Sequence, residues 1–426
     1  MMPDSFAGRP HTCAPSLLEY FLMPPVVFVL AVAVFAQGTS EFMVSGLLRR
    51  IADDVGVSLG AAGLLTSLFA AGMVMGAPVM AMTAGRLPVR YSVTAFLGVF
   101  CAAHVIGATT TGFAPLLVTR GVAAVAEAGF LAVVLAALPR LAGPEMVGRA
   151  ASVVVSGVTV ACVAGVPAGT MLGQIWGWRS AFWAVAVLSA AVLVPVWTML
   201  GRRTQVEGGA PSGTVPPMRR EWSVLTQYPV VVAVVAGVLV NAATFAAFTY
   251  LGTITTSVGG AGRWVSLVLA LFGAGSFLGV TVTGRYSDRH RRRIVRAGTV
   301  LLVGVWVAAA LVAHTLIGVT VMSVVAGAVA FGVGSTLIAT IVQTATPTAP
   351  RIAGALATTA FDIGAVLGPV AAGSTVDHTG RPATALWCGA AFTAAALGVV
   401  LPERNRREAS RSSSDIADRC PSRRGR

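Results

Sequence analysis

Twelve stretches of mostly apolar residues follow one another along the chain, and this pattern constrains the fold more than any other feature. A helix needs about 20 apolar residues to cross the roughly 30 Å hydrocarbon core of a bilayer. The stretches lie at residues 25–48, 60–84, 92–111, 114–138, 149–173, 180–200, 228–252, 264–284, 294–313, 317–341, 352–374 and 382–401. The sequence therefore predicts an all-α polytopic membrane protein with twelve transmembrane helices and no room for a soluble catalytic domain.

The composition argues against several classes of function. Charged residues make up only 11% of the chain, against about 25% in soluble domains. All 30 basic residues are arginines, so the chain lacks the lysine of an ATP-hydrolysing P-loop. The five cysteines stand singly, without the spacing of a metal site or a disulfide framework. We therefore expect no enzyme and no cofactor. The net charge of +14 does not indicate nucleic-acid binding, because the arginines lie in short segments between apolar stretches.

The arginines are distributed unevenly between the two sides of the predicted bundle. With the N-terminus inside, 24 arginines fall in segments on the inner side, five on the outer side, and Arg120 within a helix. Cytoplasmic loops are enriched in Arg and Lys. We therefore expect a multi-pass protein of the plasma (inner) membrane with both termini in the cytoplasm.

A polar segment rich in Pro, Gly and Arg separates the sixth apolar stretch from the seventh. We interpret it as a cytoplasmic linker, residues 201–227, between two six-helix halves at 23–200 and 228–401. Residues 402–426 then form a cytoplasmic tail, and residues 1–22 form an N-terminal extension that we expect to be disordered. This extension lacks the apolar core of a signal peptide, and Met23 is a second candidate for the natural start.

Two features recur between the predicted halves. The run AMTAGRLPVR at 81–90 is echoed by GRYSDRHRRR at 284–293, an offset of 203. Pro167 is similarly echoed by Pro369, an offset of 202. Duplicated six-helix halves of this kind are the parallel repeat of major facilitator transporters.

The recurring run resembles the loop signature of the major facilitator superfamily, Gly-x3-Asp-Arg-x-Gly-Arg-Arg. The C-terminal copy supplies Gly284, Asp288, Arg289, Arg292 and Arg293. The N-terminal copy retains Arg86 and Arg90, but Gly85 stands where the family has its aspartate. The resemblance implies the major facilitator fold and a gating role for both copies. The missing aspartate removes the charge contact with which the family latches its N-terminal half.

Five further runs resemble the chloramphenicol-resistance exporters of the drug:proton antiporter branch. They are AVFAQGTSEFM (33–43), GVTVACVAGVPAG (157–169), WGWRSAFWAVAVLSA (176–190), NAATFAAFTYLG (241–252) and FGAGSFLGVT (272–281). The resemblance extends over nearly all of 23–402 and implies proton-coupled efflux of chloramphenicol or related amphenicols by alternating access. Because related exporters carry close variants of GTSEF, efflux of sugars, nucleosides or cationic drugs is the alternative. We expect a monomer in the lipid bilayer, with a small-molecule drug and protons as its partners.

Four ionisable residues lie deep within predicted membrane helices: Glu41, Arg120, Glu127 and Asp362. A charge at such a position costs about 2.5–3.5 kcal/mol on insertion scales, so each is a functional candidate. At about 1.5 Å of rise per residue, Glu41 and Arg120 lie at nearly the same depth. We predict that they face one central cavity and that each modulates the charge of the other, which would provide a proton switch. The alternative is a static pair that only orients two helices.

The other two acids each allow two interpretations. Glu127 lies seven residues after Arg120 on the same helical face, where it either relays a proton or faces a watery cavity. Asp362 precedes a stretch that contains glycine and proline, where it either takes part in proton coupling or satisfies a loosened backbone. At the offset of 203, the counterparts of Glu41, Glu127 and Asp362 are Thr244, Ala330 and Thr159.

Small residues and a proline line the fifth predicted helix, at Gly157, Gly165, Pro167, Gly169 and Gly173. Glycine permits close helix contact and proline bends the axis. The family assigns this signature to antiporters, and we predict a sliding interface between the halves. Ordinary close packing is the alternative.

Polar and aromatic residues on the first and seventh helices predict a substrate cavity. They are Gln37, Ser40, Asn241, Thr244, Phe245 and Phe248. Apolar walls with a few polar groups suit a neutral, partly aromatic solute. Ordinary packing of these side chains is the alternative.

Overall fold

The computed structural model describes residues 23–83, 88–201, 222–259, 262–349 and 352–401. Side chains are described for these residues except 77–83, 144, 201, 222 and 287–289. Within these ranges the ordered elements are helices, and no strand occurs. The predicted N-terminal extension, most of the linker and the tail lie outside the described residues.

Six helices precede the linker. They are α1 (Pro25–Val55), α2 (Leu59–Thr83), α3 (Val89–Thr109), α4 (Phe113–Ala142), α5 (Val147–Trp176) and α6 (Arg179–Gly201). Within α5, residues Ala161–Gly165 form a π-helical turn. Pro167 explains this turn, because its ring crowds the carbonyl group four residues earlier and it has no N–H to donate.

Six helices follow the linker. They are α7 (Tyr228–Ser257), α8 (Gly262–Tyr286), α9 (His290–Val312), α10 (Leu316–Ala345), α11 (Ala353–Thr379) and α12 (Thr384–Val400). The helices α8 and α9 follow each other directly within Gly262–Val312 and are separated by a kink at His290, whose φ of −130° and ψ of 21° are not helical. We call α1–α6 the N-terminal half and α7–α12 the C-terminal half.

Local sequence explains several helix ends. Pro25 and Pro229 occupy the first turns of α1 and α7, where a missing N–H leaves no bond unmade. Gly56 and Gly380 end α1 and α11 with φ values of 72° and 66°, which glycine adopts without strain. Thr315 caps α10 by accepting a hydrogen bond from the backbone N–H of Gly318.

In the described part of the chain, eleven helices are long and apolar enough to cross a membrane, and α12, with 17 residues, is a shorter apolar helix. The prediction of an all-α polytopic protein is confirmed, and each of the twelve predicted stretches lies on one of the twelve helices. Helix α1 extends past its predicted end at residue 48 to Val55, so Arg49 and Arg50 belong to the helix rather than to a loop.

The two halves bury equivalent positions. For most buried residues of α1, α2, α4 and α5, the residue 203 positions later, in α7, α8, α10 or α11, is buried as well. The same holds between α3 and α9 at an offset of 202 and between α6 and α12 at an offset of 204. Ala161 and Gly165, for example, match Gly364 and Gly368. The expectation that Pro167 is the counterpart of Pro369 is wrong, because the packing of α5 and α11 follows an offset of 203 throughout.

The bundle has two ends. The Asp377 face carries Asp377 and the turns at 56–58, 110–112, 177–178, 258–259, 313–315 and 380–383. The arginine face carries Arg90, Arg140, Arg149 and the segment 291–296. The halves meet where α1 packs on α7, α2 on α11 and α5 on α8.

Candidate functional site

A network of three hydrogen-bonded side chains lies inside the N-terminal half. Ser40 Oγ on α1 lies 2.6 Å from His104 Nε2 on α3 and accepts a 2.7 Å hydrogen bond from Arg120 Nη1 on α4. His104 Nδ1 lies 2.8 Å from the carbonyl oxygen of Phe100. Because a carbonyl only accepts, Nδ1 carries the proton and Nε2 accepts from the Ser40 hydroxyl. This network was not predicted from the sequence, because its members come from three different helices.

Arg120 binds the backbone beside Glu41 rather than the Glu41 carboxylate. Its Nη2 donates to the carbonyl oxygens of Ser40 (3.0 Å) and Glu41 (3.5 Å), and its guanidinium group lies 4.1 Å from the centroid of the Phe69 ring. Among the described residues, no carboxylate lies within salt-bridge distance of Arg120. The structure shows no direct ion pair: Arg120 is 1% exposed, whereas Glu41 is half-buried. Arg120 nevertheless interacts electrostatically with the carboxyl groups of both Glu41 and Glu127, and the shared cavity stays a prediction.

Two buried polar side chains near this network have unpaired atoms. Glu127 is 4% exposed, and its Oε2 has no hydrogen-bond partner. Both polar atoms of the Gln37 amide are also buried and unpaired. An unsatisfied buried polar group costs about 1–3 kcal/mol. Such groups in a native fold call for an explanation, and contact with a proton or a polar substrate group would provide one.

Asp362 is the acidic residue that the C-terminal half contributes to this region. It is half-buried on α11, and the preceding turn is tied to α7 by a 2.6 Å hydrogen bond from Asn241 Nδ2 to the carbonyl oxygen of Phe361. The Glu127 carboxyl group interacts electrostatically with those of Glu41 and Asp362, and Glu41 also interacts with Asp362. The fold therefore brings the three acids into one region between the halves.

Five phenylalanine rings pack together where α1 meets the C-terminal half. They are Phe42, Phe245, Phe248, Phe272 and Phe331, with neighbouring ring centroids 5.1–6.4 Å apart. The cavity among them measures only about 10 Å³, at the lower limit for a single water molecule. A drug therefore does not fit between these rings in this conformation, and the rings must separate to admit one.

The predicted cavity residues do not all lie together. Thr244, Phe245 and Phe248 line the small cavity, joined by Phe42 and Cys162, which the sequence analysis had not assigned. Ser40 is sealed in the network with Arg120, and Gln37 and Asn241 are not among the residues that line this cavity. Phe42 directly follows Glu41, an acid within a predicted membrane helix, and this position could have identified it from the sequence.

The glycine stripe of α5 faces α1 of the same half. Its members are Gly157, Gly165, Gly169 and Gly173. A methyl group at Gly165, for example, would collide with the Thr39 side chain. The predicted sliding interface between the halves is therefore wrong for these glycines. On α5, the close inter-half contact is made instead by the carbonyl oxygen of Cys162, which lies 2.5 Å from where a Cβ on Gly273 would be.

The C-terminal copy of the predicted gating loop is helical. Gly284 lies exposed near the end of α8, and Arg292 and Arg293 lie exposed at the start of α9, after the bend at His290. The side chains of Asp288 and Arg289 lie outside the described residues. The gating role of this segment stays a prediction.

The N-terminal copy is described only from Pro88 onward, so Arg86 lies outside the described residues. The guanidinium group of Arg90 lies 3.6 Å from the centroid of the Trp197 ring on α6. Tyr91 packs edge-on against the same ring. Arg90 therefore tethers α3 to α6 within its own half.

Asp377 joins the two halves at the face named after it. Its carboxylate accepts hydrogen bonds from Ser58 Oγ (2.6 Å) and from the backbone N–H of Gly60 (2.8 Å), so a residue of α11 caps the N-terminus of α2. Further along the same helices, Ser67 Oγ donates to the carbonyl oxygen of Val366 at 3.0 Å. Within the described ranges, these are the hydrogen bonds that connect the halves.

Comparisons with known proteins agree on one family. The sequence profile of the Major Facilitator Superfamily matches residues 30–369 and 255–422. The chain is 47% identical over 386 residues to a chloramphenicol resistance protein of Streptomyces lividans, covering 90% of this chain and 97% of that protein. It is 29% identical over 351 residues to the inner membrane transport protein YdhP of Escherichia coli strain K12, covering 82% and 88% of the two chains.

Solved structures show the same fold. A bacterial homolog of the human lysosomal transporter Spinster, crystallised in an inward-facing, unoccupied conformation, aligns with a TM-score of 0.69 at 17% identity. The alignment covers 91% of this chain and 95% of the other. At this identity the similarity concerns the fold alone. The family match and the twelve apolar helices lead to one conclusion: the chain belongs to the Major Facilitator Superfamily and is a multi-pass membrane transporter.

Proposed function

We propose that this protein is a proton-coupled exporter of chloramphenicol or related amphenicols. The observation that carries the proposal is the 47% identity to a chloramphenicol resistance protein, which extends over 90% of the chain. The chemistry of the site suits such a drug once the rings separate, because aromatic and hydroxyl side chains lie in the same region as the carboxyl groups.

The distribution of arginines supports an orientation. Arg140, Arg149 and the segment 291–296 lie at one end of the bundle. Positive charge favours the cytoplasmic side, so the arginine face is cytoplasmic and the Asp377 face is extracytoplasmic in this proposal. The two halves, 23–200 and 228–401, then have their linker and both termini in the cytoplasm. The hydrogen bonds of Asp377 hold α2 and α11 together on the outer side in this conformation.

The three carboxyl groups supply the proposed coupling. When all three are ionised, Glu41, Glu127 and Asp362 repel one another across the space between the halves. Protonation removes this repulsion and makes approach of the halves easier, whereas separation and hydration favour release of the proton. Arg120 does not exchange a proton in this scheme. It holds the backbone of Ser40 and Glu41, and so fixes the position of the Glu41 carboxyl group.

The membrane potential supplies enough energy for useful efflux. If one proton enters for each neutral drug molecule that leaves, one elementary charge crosses the membrane per cycle. A potential of about 100 mV then provides roughly 2.3 kcal/mol. This sustains a concentration ratio of roughly 50-fold.

A second substrate class has a specific observation in its favour. Arg120, the cation that interacts electrostatically with Glu41 and Glu127, is 1% exposed, and no carboxylate in the described part of the chain lies within salt-bridge distance of it. Such a site attracts cationic drugs more than the predicted Glu41–Arg120 pair would. Sugars and nucleosides remain alternatives on the sequence resemblance alone.

Drug uptake by inverted membrane vesicles tests the proposal. Vesicles that contain the protein should accumulate radiolabelled chloramphenicol when a proton gradient is applied, and a protonophore should abolish the accumulation. Expression in a susceptible bacterium should raise tolerance to the drug. Unchanged chloramphenicol tolerance despite confirmed membrane expression would reject the proposal. A gain of tolerance to cationic dyes or nucleoside analogues would favour the alternative.

A further inference from the structure

The C-terminal half contains a cavity of about 680 Å³ at the arginine face. Its walls come from α7, α9, α10 and α12, so it lies inside one half rather than between the two. Its volume is within the range of about 300–1,000 Å³ that is usual for small-molecule sites. The apolar part of the lining comprises Val232, Ala233, Ala236, Val295, Leu337 and Val400.

Four arginines line the same cavity where α9 begins: Arg291, Arg292, Arg293 and Arg296. In the described part of the chain, no carboxylate lies within salt-bridge distance of any of them. The Nε atom of Arg291 is buried without a hydrogen-bond partner. Cations that are partly withdrawn from water gain strongly from an anionic partner. The cavity therefore combines an anion-binding rim with an apolar interior.

The equivalent region of the N-terminal half is filled. At the offset of 203, Leu30 and Leu141 stand where the C-terminal half has Ala233 and Thr344, and both leucines are buried in one apolar cluster. The same cluster contains Ala33, Val93, Val134 and Val196, the counterparts of four other cavity residues. Two shorter side chains on a similar scaffold therefore contribute to the cavity in the C-terminal half.

The charges at the rim also differ between the halves. At the offset of 202 that relates α3 to α9, Arg292 corresponds to Arg90, which is covered by Trp197. The counterpart of Trp197 at the offset of 204 is Leu401, which offers no aromatic face. The N-terminal half therefore covers its arginine, whereas the C-terminal half presents a group of four.

We propose that this cavity binds an anionic phospholipid of the surrounding membrane. The phosphate group lies against the arginine rim, and part of an acyl chain occupies the apolar interior. Basic pockets between transmembrane helices bind anionic head groups in this way. The apolar lining selects a lipid over a free anion, because inorganic phosphate would contact only the rim.

Thermal unfolding of the purified full-length protein in a neutral detergent tests this assignment. A ligand that binds only the folded state raises the unfolding midpoint in proportion to its occupancy. Titration with dioleoylphosphatidylglycerol should raise the midpoint saturably. Dioleoylphosphatidylcholine and inorganic phosphate should have little effect. Equal stabilisation by phosphatidylcholine would contradict the preference for an anionic head group. Equal stabilisation by inorganic phosphate would contradict the assignment of the ligand as a lipid.

Two double variants separate the rim from the interior. Arg292→Gln with Arg293→Gln should weaken phosphatidylglycerol binding by about 30-fold, since each arginine near a membrane surface contributes about a fivefold gain. Ala233→Leu with Thr344→Leu restores the residues of the N-terminal half and should abolish the saturable response while leaving the four arginines in place.

Arg140→Gln is the matched control, because Arg140 is exposed on the same face but outside the cavity. It should bind phosphatidylglycerol as the unaltered protein does. The unfolding midpoint of the leucine variant without lipid is measured first, to show that the variant folds. The Arg292→Gln, Arg293→Gln variant tests the proposal without a change in core packing, because both arginines are exposed. Unchanged lipid affinity in the arginine variant, or an equal loss in Arg140→Gln, overturns the proposal.

Discussion

The two halves share one scaffold but carry different chemistry at equivalent positions. In the N-terminal half, Ser40, His104 and Arg120 form a buried polar network. The offsets that relate the halves place Ala243, Trp306 and Ser323 at these positions in the C-terminal half. Trp306 is 1% exposed, so a large ring occupies the space that the N-terminal half gives to hydrogen bonds. The same helix arrangement therefore accommodates hydrogen-bonded polar side chains in the N-terminal half and a large aromatic side chain at the equivalent position of the C-terminal half.

The acids follow the same division. Glu41 and Glu127 have Thr244 and Ala330 as counterparts, and Thr244 instead lines the aromatic cavity. Two of the three acids therefore lie in the N-terminal half, whereas four of the five phenylalanine rings lie in the C-terminal half. This division suits coupling between two ligands, because each ligand can act mainly on one half while both act on the space between them.

Arg120→Ala should have the largest effect of the variants that test this division. It removes two hydrogen bonds to Ser40 and leaves buried oxygen atoms without these donors, at a cost of about 1–3 kcal/mol for each unsatisfied group. We expect a marked fall in the unfolding midpoint and loss of proton-driven drug uptake.

Two further substitutions sharpen that test. Arg120→Lys should recover part of both properties, since a lysine can still donate to Ser40. Ser323→Ala, at the equivalent position of the C-terminal half, should change the midpoint little, because Ser323 bonds only within its own helix, to the carbonyl oxygen of Thr320. Equal damage from Arg120→Ala and Ser323→Ala would show that the halves are not specialised.

Glu41→Gln should abolish proton-linked transport with little change in stability. The amide keeps the size of the side chain but does not titrate, and Arg120 contacts only the backbone at this position. Uptake into inverted vesicles should then no longer respond to a proton gradient, while equilibrium drug binding persists. Glu145→Gln, an exposed acid at the arginine face, is the control and should transport normally. Undiminished uphill transport by Glu41→Gln would exclude this residue as a proton carrier.

The fold was predictable because each helix leaves a local record in the sequence. The twelve apolar stretches needed no tertiary information, and neither did the repeat of 81–90 at 284–293, although the structure shifts the match of α3 to α9 by one residue and so pairs Arg90 with Arg292. The partner of a buried charge is a different matter, since depth along a helix does not fix rotation about its axis. Glu41 and Arg120 were placed at one depth correctly, yet the guanidinium group turns to the backbone and to Ser40. The same rotational ambiguity assigned the glycines of α5 to the wrong interface.

Gly165→Ala and Gly368→Ala should each destabilise its half, and Gly368→Ala should do so more, because its methyl group meets backbone rather than side-chain atoms. A methyl group at Gly165 meets Thr39, and one at Gly368 meets the backbone of Ala242, the residue at the same spacing in the other half. Overpacking of this kind costs about 1–3 kcal/mol, which thermal unfolding would detect. Gly354→Ala is the matched control on α11, because its Cβ would meet no atom within 4 Å. Similar midpoints for all three variants would contradict the close packing of α1 on α5 and α7 on α11.

Asp377→Ala should have the smallest effect on stability and a specific effect on conformation. The variant removes the cap that α11 provides to α2, and loss of such a cap costs about 0.5–2 kcal/mol. Because this contact joins the halves at one face only, the cost falls on the conformation in which that face is closed.

The change can be followed at Thr253, which is 1% exposed and lines a cavity of about 660 Å³ at the Asp377 face. The reporter is Thr253→Cys in a chain whose native cysteines are replaced. In this background, Asp377→Ala should speed labelling by a membrane-impermeant maleimide by about 2- to 30-fold. This ratio is the equilibrium shift that corresponds to a free-energy cost of about 0.5–2 kcal/mol for the lost cap. Arg381→Gln, an exposed charge of the same face that does not line this cavity, should leave the labelling rate unchanged. Faster labelling in both variants would indicate general loosening, and unchanged labelling in Asp377→Ala would show that helix packing, rather than the carboxylate, keeps this face closed.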